Sequence, residues 1–112
     1  MRKIALLFIF FTAALLQFCS PARRARKEAP KVTYENHLQP IIVNNCSPCH
    51  IPPKGNKEPL NTYEAVKKNI DESIRRINLN PGEKGFMPFK HAKLPDSTIQ
   101  VFVQWKNDGM IH

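Results

Sequence analysis

Apolar residues recur at helical spacing in three stretches of the chain. In the middle stretch the repeating positions are Tyr63, Val66, Ile70, Ile74 and Ile77. This spacing is typical of a helix that buries one face. No stretch alternates apolar and polar residues with a period of two, which is the pattern of a half-buried strand. The sequence therefore predicts an all-α fold of three to five short helices.

Capping residues mark the starts of the first two helices. Thr33 is a suitable N-cap for the stretch YENHLQPIIVNN, and Glu35 lies in its first turn, where the helix dipole favours an acid. Pro40 is expected to bend this helix or to split it into two short pieces. The middle helix is expected to begin at Asn61 or Thr62.

The middle helix carries two further signals. Asn61 with Glu64 three residues later makes an approximate capping box at its beginning. Asp71 and Ser73 offer a restart of the helix partway along.

The last helix has both a start and a stop signal. Asp96 is the predicted N-cap, and Gly109 is the predicted stop. The apolar face between them consists of Ile99, Phe102, Val103 and Trp105. Phe102 and Trp105 are expected to lie in the core.

Proline-rich loops separate the helices, as expected for a chain of 112 residues with 10 prolines. One predicted loop covers residues 51–59 and a second covers residues 78–95. An unstructured segment as long as the second loop is uncommon in a small domain and is usually functional.

The N-terminus has the pattern of an export signal. Arg2 and Lys3 precede an apolar stretch from Ile4 to Phe18, which is shorter than the roughly 20 residues needed to span a bilayer. A charged start followed by a short apolar stretch is typical of a secretory signal peptide. Residues 1–18 are therefore predicted to be a signal peptide, with an N-terminal membrane anchor as the alternative.

A lone cysteine follows this apolar stretch. Cys19 is left over when the other two of the 3 cysteines are placed in one motif, and an unpaired cysteine in an exported protein needs an explanation. Leu16, three residues earlier, resembles the lipobox of bacterial lipoproteins, in which the cysteine carries lipid; Phe18 replaces the small residue usual there. The alternatives are an ordinary signal cut after Ala22 and a cysteine within an anchor.

The chain is basic, with a formal net charge of +8. A basic run lies within residues 19–31, which are predicted to be a tether to a folded domain of residues 32–112. Such a run is either solvated or contacts anionic lipid head groups at about 1 kcal/mol per charge. Nucleic-acid binding is not predicted, because an exported protein rarely meets nucleic acid and no aromatic residues are interleaved with the run. The run consists of Arg23, Arg24, Arg26 and Lys27.

The segment NNCSPCHIPPK places two thiols and an imidazole close together. Cys46, Cys49 and His50 suit three chemistries: a zinc site, a redox disulfide or covalent haem attachment. A structural zinc ion takes four ligands, so without a second C-x-x-C pair it would need a distant histidine such as His91. A thioredoxin-like disulfide needs a βαβ context, and no strand is predicted before Cys46. C-x-x-C-H is the attachment signature of c-type haem.

The spacing of the motif fits the geometry of haem. One helical turn apart, Cys46 and Cys49 reach two neighbouring vinyl groups on the porphyrin edge. His50 follows Cys46 by four residues and so lies on the same helical face, from which its imidazole reaches the iron. Export fits as well, because c-type haem is attached outside the bacterial cytoplasm. The motif therefore predicts one covalent haem c with His50 as an iron ligand.

From Val32 to Met110 the chain resembles the small mono-haem class I cytochromes c. The resemblance is carried by a helix leading into CSPCH, a middle helix, the sequence GFMP and a final helix ending in FVQWKNDG. It implies a cytochrome c-like fold packed around the haem. In this family a methionine, commonly followed by proline, supplies the sixth iron ligand, and Met87 before Pro88 matches it. His91 is the alternative ligand.

The resemblance implies a periplasmic one-electron carrier and not an enzyme, because His and Met together fill both axial positions of the iron. The alternatives are a cytochrome subunit of a haem oxidoreductase, a peroxidase, and a gas sensor in which Met87 dissociates. The implied partners are redox proteins with an acidic docking surface. That surface would face either a ring of lysines around the haem edge or a generally basic surface. The ring would consist of Lys54, Lys57, Lys90 and Lys93.

Three further residues are candidates for contact with the haem propionates. Arg75 and Arg76 either form an ordinary solvated face or pair with a propionate. The indole N–H of Trp105 needs an acceptor when buried, and a propionate is one candidate.

Overall fold

A computed structural model describes residues 30–112 of the chain, and these residues form a small helical domain. A π-helical turn, Tyr34–Leu38, leads into helix α1, Gln39–Cys46. Helix α2 covers Tyr63–Asn78 and helix α3 covers Asp96–Asn107. The β-structure of residues 30–112 is limited to one parallel bridge between Thr33 and Ile111. The all-α prediction is confirmed.

The predictions for the N-terminal segment lie outside the described residues. They are the signal peptide or anchor of residues 1–18, lipidation of Cys19, and all but the end of the tether. Among residues 30–112, none of the helices has the length and apolar character needed to cross a membrane.

Pro40 explains why the first helical segment has two parts. Thr33 occupies the N-cap position as predicted, with extended backbone angles, but its side chain makes no capping bond. Instead, the backbone N–H of Thr33 donates to Nδ1 of His37 at 3.1 Å. Pro40 lies in the first turn of α1, where a helix leaves backbone N–H groups unpaired and proline's missing donor is tolerated. The segment changes from π-helical to α-helical next to Pro40, but it is not split into separate helices, because Leu38 and Gln39 both keep helical backbone angles.

Helix α2 begins at a single cap and continues without a break. The hydroxyl of Thr62 accepts a hydrogen bond from the backbone N–H of Ala65 at 3.2 Å, a cap that contributes about 1 kcal/mol. Thr62 is therefore the N-cap, and Asn61 is not. The predicted restart at Asp71 or Ser73 is wrong. The carboxylate of Asp71 is instead bound by the ammonium of Lys106 in α3 at 2.5 Å.

Helix α3 ends in a Schellman motif. Gly109 has φ +89°, which places it in the left-handed region that glycine adopts at low cost. Its N–H donates to the carbonyl of Lys106 at 3.2 Å, and the N–H of Met110 donates to the carbonyl of Trp105 at 2.8 Å. The predicted stop is confirmed. The start is one residue off, because Pro95 is the N-cap and Asp96 is the first helical residue.

The core lies between the helices, with α3 packed against both α2 and the π-helical turn. Trp105 is fully buried, and its indole N–H donates to the carbonyl of Ile111 at 2.7 Å. The hydroxyl of Tyr63 donates to the carbonyl of Met110 at 2.8 Å. The C-terminal residues therefore fold back over the core. Its buried members are Tyr34, Leu38, Ile42, Leu60, Val66, Ile70, Ile77, Leu94, Ile99, Phe102 and Trp105.

Candidate haem site

The C-x-x-C-H motif lies in a turn that follows α1. The helix ends at Cys46, and Ser47 is extended, with φ −78° and ψ 154°. The expected helical continuation from Cys46 to Cys49 is therefore wrong. Pro48 is the reason, because the residue before a proline is pushed out of the α region. The N–H of His50 still donates to the carbonyl of Cys46 at 3.0 Å, which closes a turn over the same residues.

The two thiols of the motif differ in their surroundings. Cys46 is half-buried and packs against the core, whereas Cys49 is exposed; both are free cysteines. Burial raises the pKa of the Cys46 thiol to about 11, so this thiol stays protonated at neutral pH.

The imidazole of His50 is fixed by one contact that the sequence did not predict. Its Nδ1 lies 2.6 Å from the carbonyl oxygen of Glu58. A carbonyl oxygen only accepts hydrogen bonds, so Nδ1 carries the proton and Nε2 keeps its lone pair. Metal-binding histidines commonly have this arrangement, in which a backbone carbonyl sets the tautomer and the ring orientation. In the neutral ring of His50, Nε2 is therefore the nitrogen with a lone pair not used by this contact.

Three backbone hydrogen bonds fasten residues 55–60, which we call the return segment, to the end of the motif and to Ile51 directly after it. The N–H of Gly55 donates to the carbonyl of Ile51 at 3.0 Å. The N–H of Lys57 donates to Cys49 at 3.1 Å, and the N–H of Leu60 donates to His50 at 2.9 Å. Leu60 is buried in the core. The return segment thus connects the motif to the core.

Met87 lies in the long loop between α2 and α3, as predicted. It is half-buried and packs against the same core as Cys46 and Ile51. Its N–H donates to the carbonyl of Arg76 at 3.2 Å, which attaches this part of the loop to the end of α2. The structure thus gathers Cys46, Cys49 and His50 in one turn and places Met87 on a separate loop against the shared core.

A hollow lies beside each of these two segments. One, of about 430 Å³, is lined by Ser47, Pro48 and residues 51–54 next to the motif. The other, of about 370 Å³, is lined by residues of the loop that carries Met87, including Phe86 and Phe89. The alternative ligand His91 also lines the second hollow, but its side chain is exposed. Of the two candidate ligands, Met87 is the one that packs against the core.

The zinc and thioredoxin-like alternatives find no support in residues 30–112. Within this range no three side chains of His, Cys, Asp or Glu gather into a group that could hold a metal ion. Cys46, Cys49 and His50 therefore do not converge on one point, as a tetrahedral zinc site requires. The described residues before Cys46 contain no strand, only the single bridge residue Thr33, the π-helical turn and α1.

All three candidate propionate contacts are paired with protein groups. The indole N–H of Trp105 is paired with the carbonyl of Ile111, so its acceptor is not a propionate. Arg75 and Arg76 both donate to the carboxylate of Glu72, at 2.7 Å and 2.6 Å. Both guanidinium groups also lie close to Gly85 of the Met87 loop, 3.7 Å and 4.0 Å from where a Cβ on that glycine would be.

The lysines proposed to surround the haem edge are not equivalent. The ammonium of Lys93 donates to the carbonyl of Asn78 at 2.8 Å, which ties it to the end of α2. Lys90 lies over the ring of Phe89, with its nitrogen 5.4 Å from the ring centre. Phe89 is 65% exposed, the most exposed large apolar side chain in the described residues. Lys54 and Lys57 are exposed beside the motif.

No protein-family model matches the chain, and no curated protein or solved structure is significantly similar to it. The assignment of the site therefore rests on the residues and distances given above. Those residues fit a c-type haem: two unpaired thiols, a histidine with a free Nε2, and a methionine from a second segment. Glu58 is the site residue that the sequence did not reveal, because it contributes a backbone carbonyl that any residue carries.

Proposed function

We propose that residues 32–112 form a cytochrome c-like domain that holds one covalent haem c and carries single electrons. The observation that carries this proposal is the 2.6 Å contact between Nδ1 of His50 and the carbonyl of Glu58. This contact leaves Nε2 as the ligating atom, directly after two cysteines at the spacing of the haem attachment signature.

Each site residue has a separate role in this proposal. Cys46 and Cys49 form the two thioether bonds, His50 is the proximal iron ligand, and Met87 is the distal ligand. When bound, the haem iron supplies a one-electron ferric–ferrous couple. The core packing of Cys46 and Met87 limits water near the ligands. Since both axial positions are filled by protein groups, the domain is a carrier and not an enzyme on its own.

The partners of this carrier are redox proteins with an acidic docking surface. The supporting observation is the exposed ring of Phe89 with the ammonium of Lys90 above it, in the same loop as Met87. An exposed apolar ring next to a positive charge suits a partner with the opposite charge, and such pairs associate faster at low salt. Lys54 and Lys57 extend the positive surface on the side of the motif.

The proposed location is the bacterial periplasm. The supporting feature is the charged and apolar sequence of residues 1–18, together with the requirement of the C-x-x-C-H motif for haem attachment outside the cytoplasm. Lipid on Cys19 would hold the domain at a membrane through the basic tether of residues 19–31. A mature chain that starts after Cys19 would exclude the lipid.

Covalent attachment is tested by replacing the two motif cysteines. Wild-type protein should keep its haem through denaturing electrophoresis, Cys46→Ala or Cys49→Ala should form at most one thioether, and the doubly substituted protein should lose the haem. Cys19→Ser is the matched control, since it also removes a thiol but leaves the motif intact. It should retain both thioethers while the protein moves from the membrane fraction to the soluble fraction. Haem retained by the double variant would disprove the attachment.

Carbon monoxide binding by the purified, haem-loaded protein distinguishes an electron carrier from the alternative functions. A reduced wild-type protein that does not bind carbon monoxide has both axial positions filled, as a carrier does. Carbon monoxide binding would instead indicate a gas sensor or a peroxidase with an open iron position. Isolation in a stable large complex would indicate a subunit of an oxidoreductase.

A further inference from the structure

The backbone at residue 55 lies so close to the C-x-x-C-H motif that only glycine fits there. A Cβ on Gly55 would be 2.2 Å from the carbonyl oxygens of both Pro48 and Cys49, and 2.5 Å from the carbonyl carbon of Cys49. All three are backbone atoms, which cannot move aside as the end of a flexible side chain could. The backbone angle φ of Gly55 lies outside the left-handed region. Glycine is therefore required here for close approach and not for an unusual conformation.

This close approach starts the return segment. Gly55 itself donates to the carbonyl of Ile51, and two residues later Lys57 donates to the carbonyl of Cys49. Glu58 then offers its carbonyl to Nδ1 of His50. The position of the Glu58 carbonyl thus depends on how closely the chain passes the motif at Gly55.

We propose that Gly55 is a positioning residue that sets the tautomer and orientation of the His50 imidazole through the return segment. This inference rests on the proposed function, in which His50 binds the haem iron. A Cβ at residue 55 cannot remain 2.2 Å from the carbonyl oxygens of Pro48 and Cys49, so the return segment must move away from the motif until the atoms reach a normal contact distance. That displacement lengthens the bond between Glu58 and His50, so the ring loses the acceptor that keeps the proton on Nδ1. The ligating Nε2 is then less well oriented and less basic.

The experiment compares Gly55→Ala with Gly109→Ala. The control also places a Cβ on a loop glycine, but at a position with no atom within 4 Å of the added carbon and with φ +89°. Gly109→Ala therefore destabilises the end of α3 by backbone strain without touching the motif. Both variants are purified with haem and compared in the reduced, diamagnetic state by NMR, and their reduction potentials are measured.

The expected result is specific to Gly55. Its alanine variant should shift or broaden the Nδ1–H resonance of His50, change the reduction potential, and speed hydrogen exchange at the Lys57 and Leu60 amides about tenfold or more. Gly109→Ala should leave the His50 resonance and the potential as in wild type, even at an equal loss of thermal stability. Equal changes in both variants would show a general loss of stability and overturn the proposal.

The role of Gly55 can still be tested if its alanine variant does not fold, and it can be tested separately from the proposed haem binding. If Gly55→Ala does not fold, the wild-type amides of Gly55, Lys57 and Leu60 should exchange at one common rate, because they open as a unit; unrelated rates would contradict the proposal. A wild-type protein without covalent haem would refute the proposed function itself. Haem-loaded Gly55→Ala with an unchanged His50 signal would refute the role of Gly55 alone.

Discussion

At the scale of single residues, the chemistry of the site depends on which atoms carry protons. The carbonyl of Glu58 only accepts, so the 2.6 Å contact assigns the proton of His50 to Nδ1. The buried thiol of Cys46, whose pKa is raised to about 11, stays protonated at neutral pH.

Met87→Ala is expected to open the distal side of the iron. The variant should bind carbon monoxide when reduced, and its reduction potential should fall by more than about 60 mV, a tenfold change in a one-electron equilibrium. The reason is that a thioether ligand favours the ferrous state and raises the potential. Absorption spectra and redox titration measure both effects.

His91→Ala is the matched control for this substitution. His91 lies in the same loop but is exposed, so its loss should leave spectrum and potential unchanged. If the His91 variant changed the spectrum and the Met87 variant did not, His91 would be the ligand.

Single residues also show how far the sequence could predict the site. The sequence alone was enough to propose Cys46, Cys49, His50 and Met87 as site residues, because each of them would act through its own side chain. The Glu58 carbonyl and the close approach of Gly55 could not be predicted, since backbone groups carry no residue-specific signal. Trp105 was correctly placed in the core, but its acceptor, the carbonyl of Ile111, could be found only from the fold.

At the scale of elements, proline and capping chemistry decided most helix boundaries. The first helical segment changes from π to α next to Pro40 without the break that a split requires. The sequence analysis did not predict the effect of Pro48 on Ser47, which ends α1 at Cys46. The predicted restart of α2 was wrong because local capping propensity competes with tertiary contacts. Val66, Ile70 and Ile77 are buried along one continuous face of α2, and a break at Asp71 would take this face out of register with the core.

The free energy of unfolding should depend on pH in the acid range because of Glu72 in the C-terminal half of α2. Hydrogen bonds from Arg75 and then Arg76 lower the pKa of Glu72 from 4.5 to about 2. A carboxyl whose pKa is lowered by folding stabilises the folded state above pH 4.5, and this contribution is lost as the pH falls from 4.5 towards 2. The effect should be modest, because the side chain of Glu72 is 47% exposed and solvent screens the pairs.

Glu72→Gln tests this contribution by chemical denaturation across the acid range. The variant should be slightly less stable than wild type at neutral pH, and the difference should shrink towards zero as the pH approaches about 2. Arg75→Gln removes the first of the two donors and should show part of the same change. A difference that stays constant with pH would mean that the ionised carboxylate is not what stabilises α2.

At the scale of the whole domain, the segment Met110–His112 closes the structure. The carbonyl of Ile111 accepts from the N–H of Tyr34 at 2.9 Å and from the indole of Trp105 at 2.7 Å. The carboxylate of Asp108 accepts from the N–H of Val32 at 2.8 Å. The two ends of the described domain are therefore joined to each other and to the aromatic part of the core, where Tyr34, Tyr63 and Trp105 form ring contacts.

Deletion of residues 110–112 is expected to destabilise the domain by about 2–4 kcal/mol, since each buried polar group left without a partner costs about 1–3 kcal/mol. Three groups lose their acceptors: the indole N–H of Trp105, the hydroxyl of Tyr63 and the backbone N–H of Tyr34. Deletion of His112 alone keeps both carbonyls and removes an exposed ring, its 3.5 Å contact with Glu35 and its contacts with the rings of Tyr34 and Tyr63. It should cost about 1 kcal/mol, less than the longer deletion, because no buried polar group loses its partner. Chemical denaturation of both deletions measures the difference, and equal losses would show that the side chain of His112, and not the two carbonyls, closes the domain.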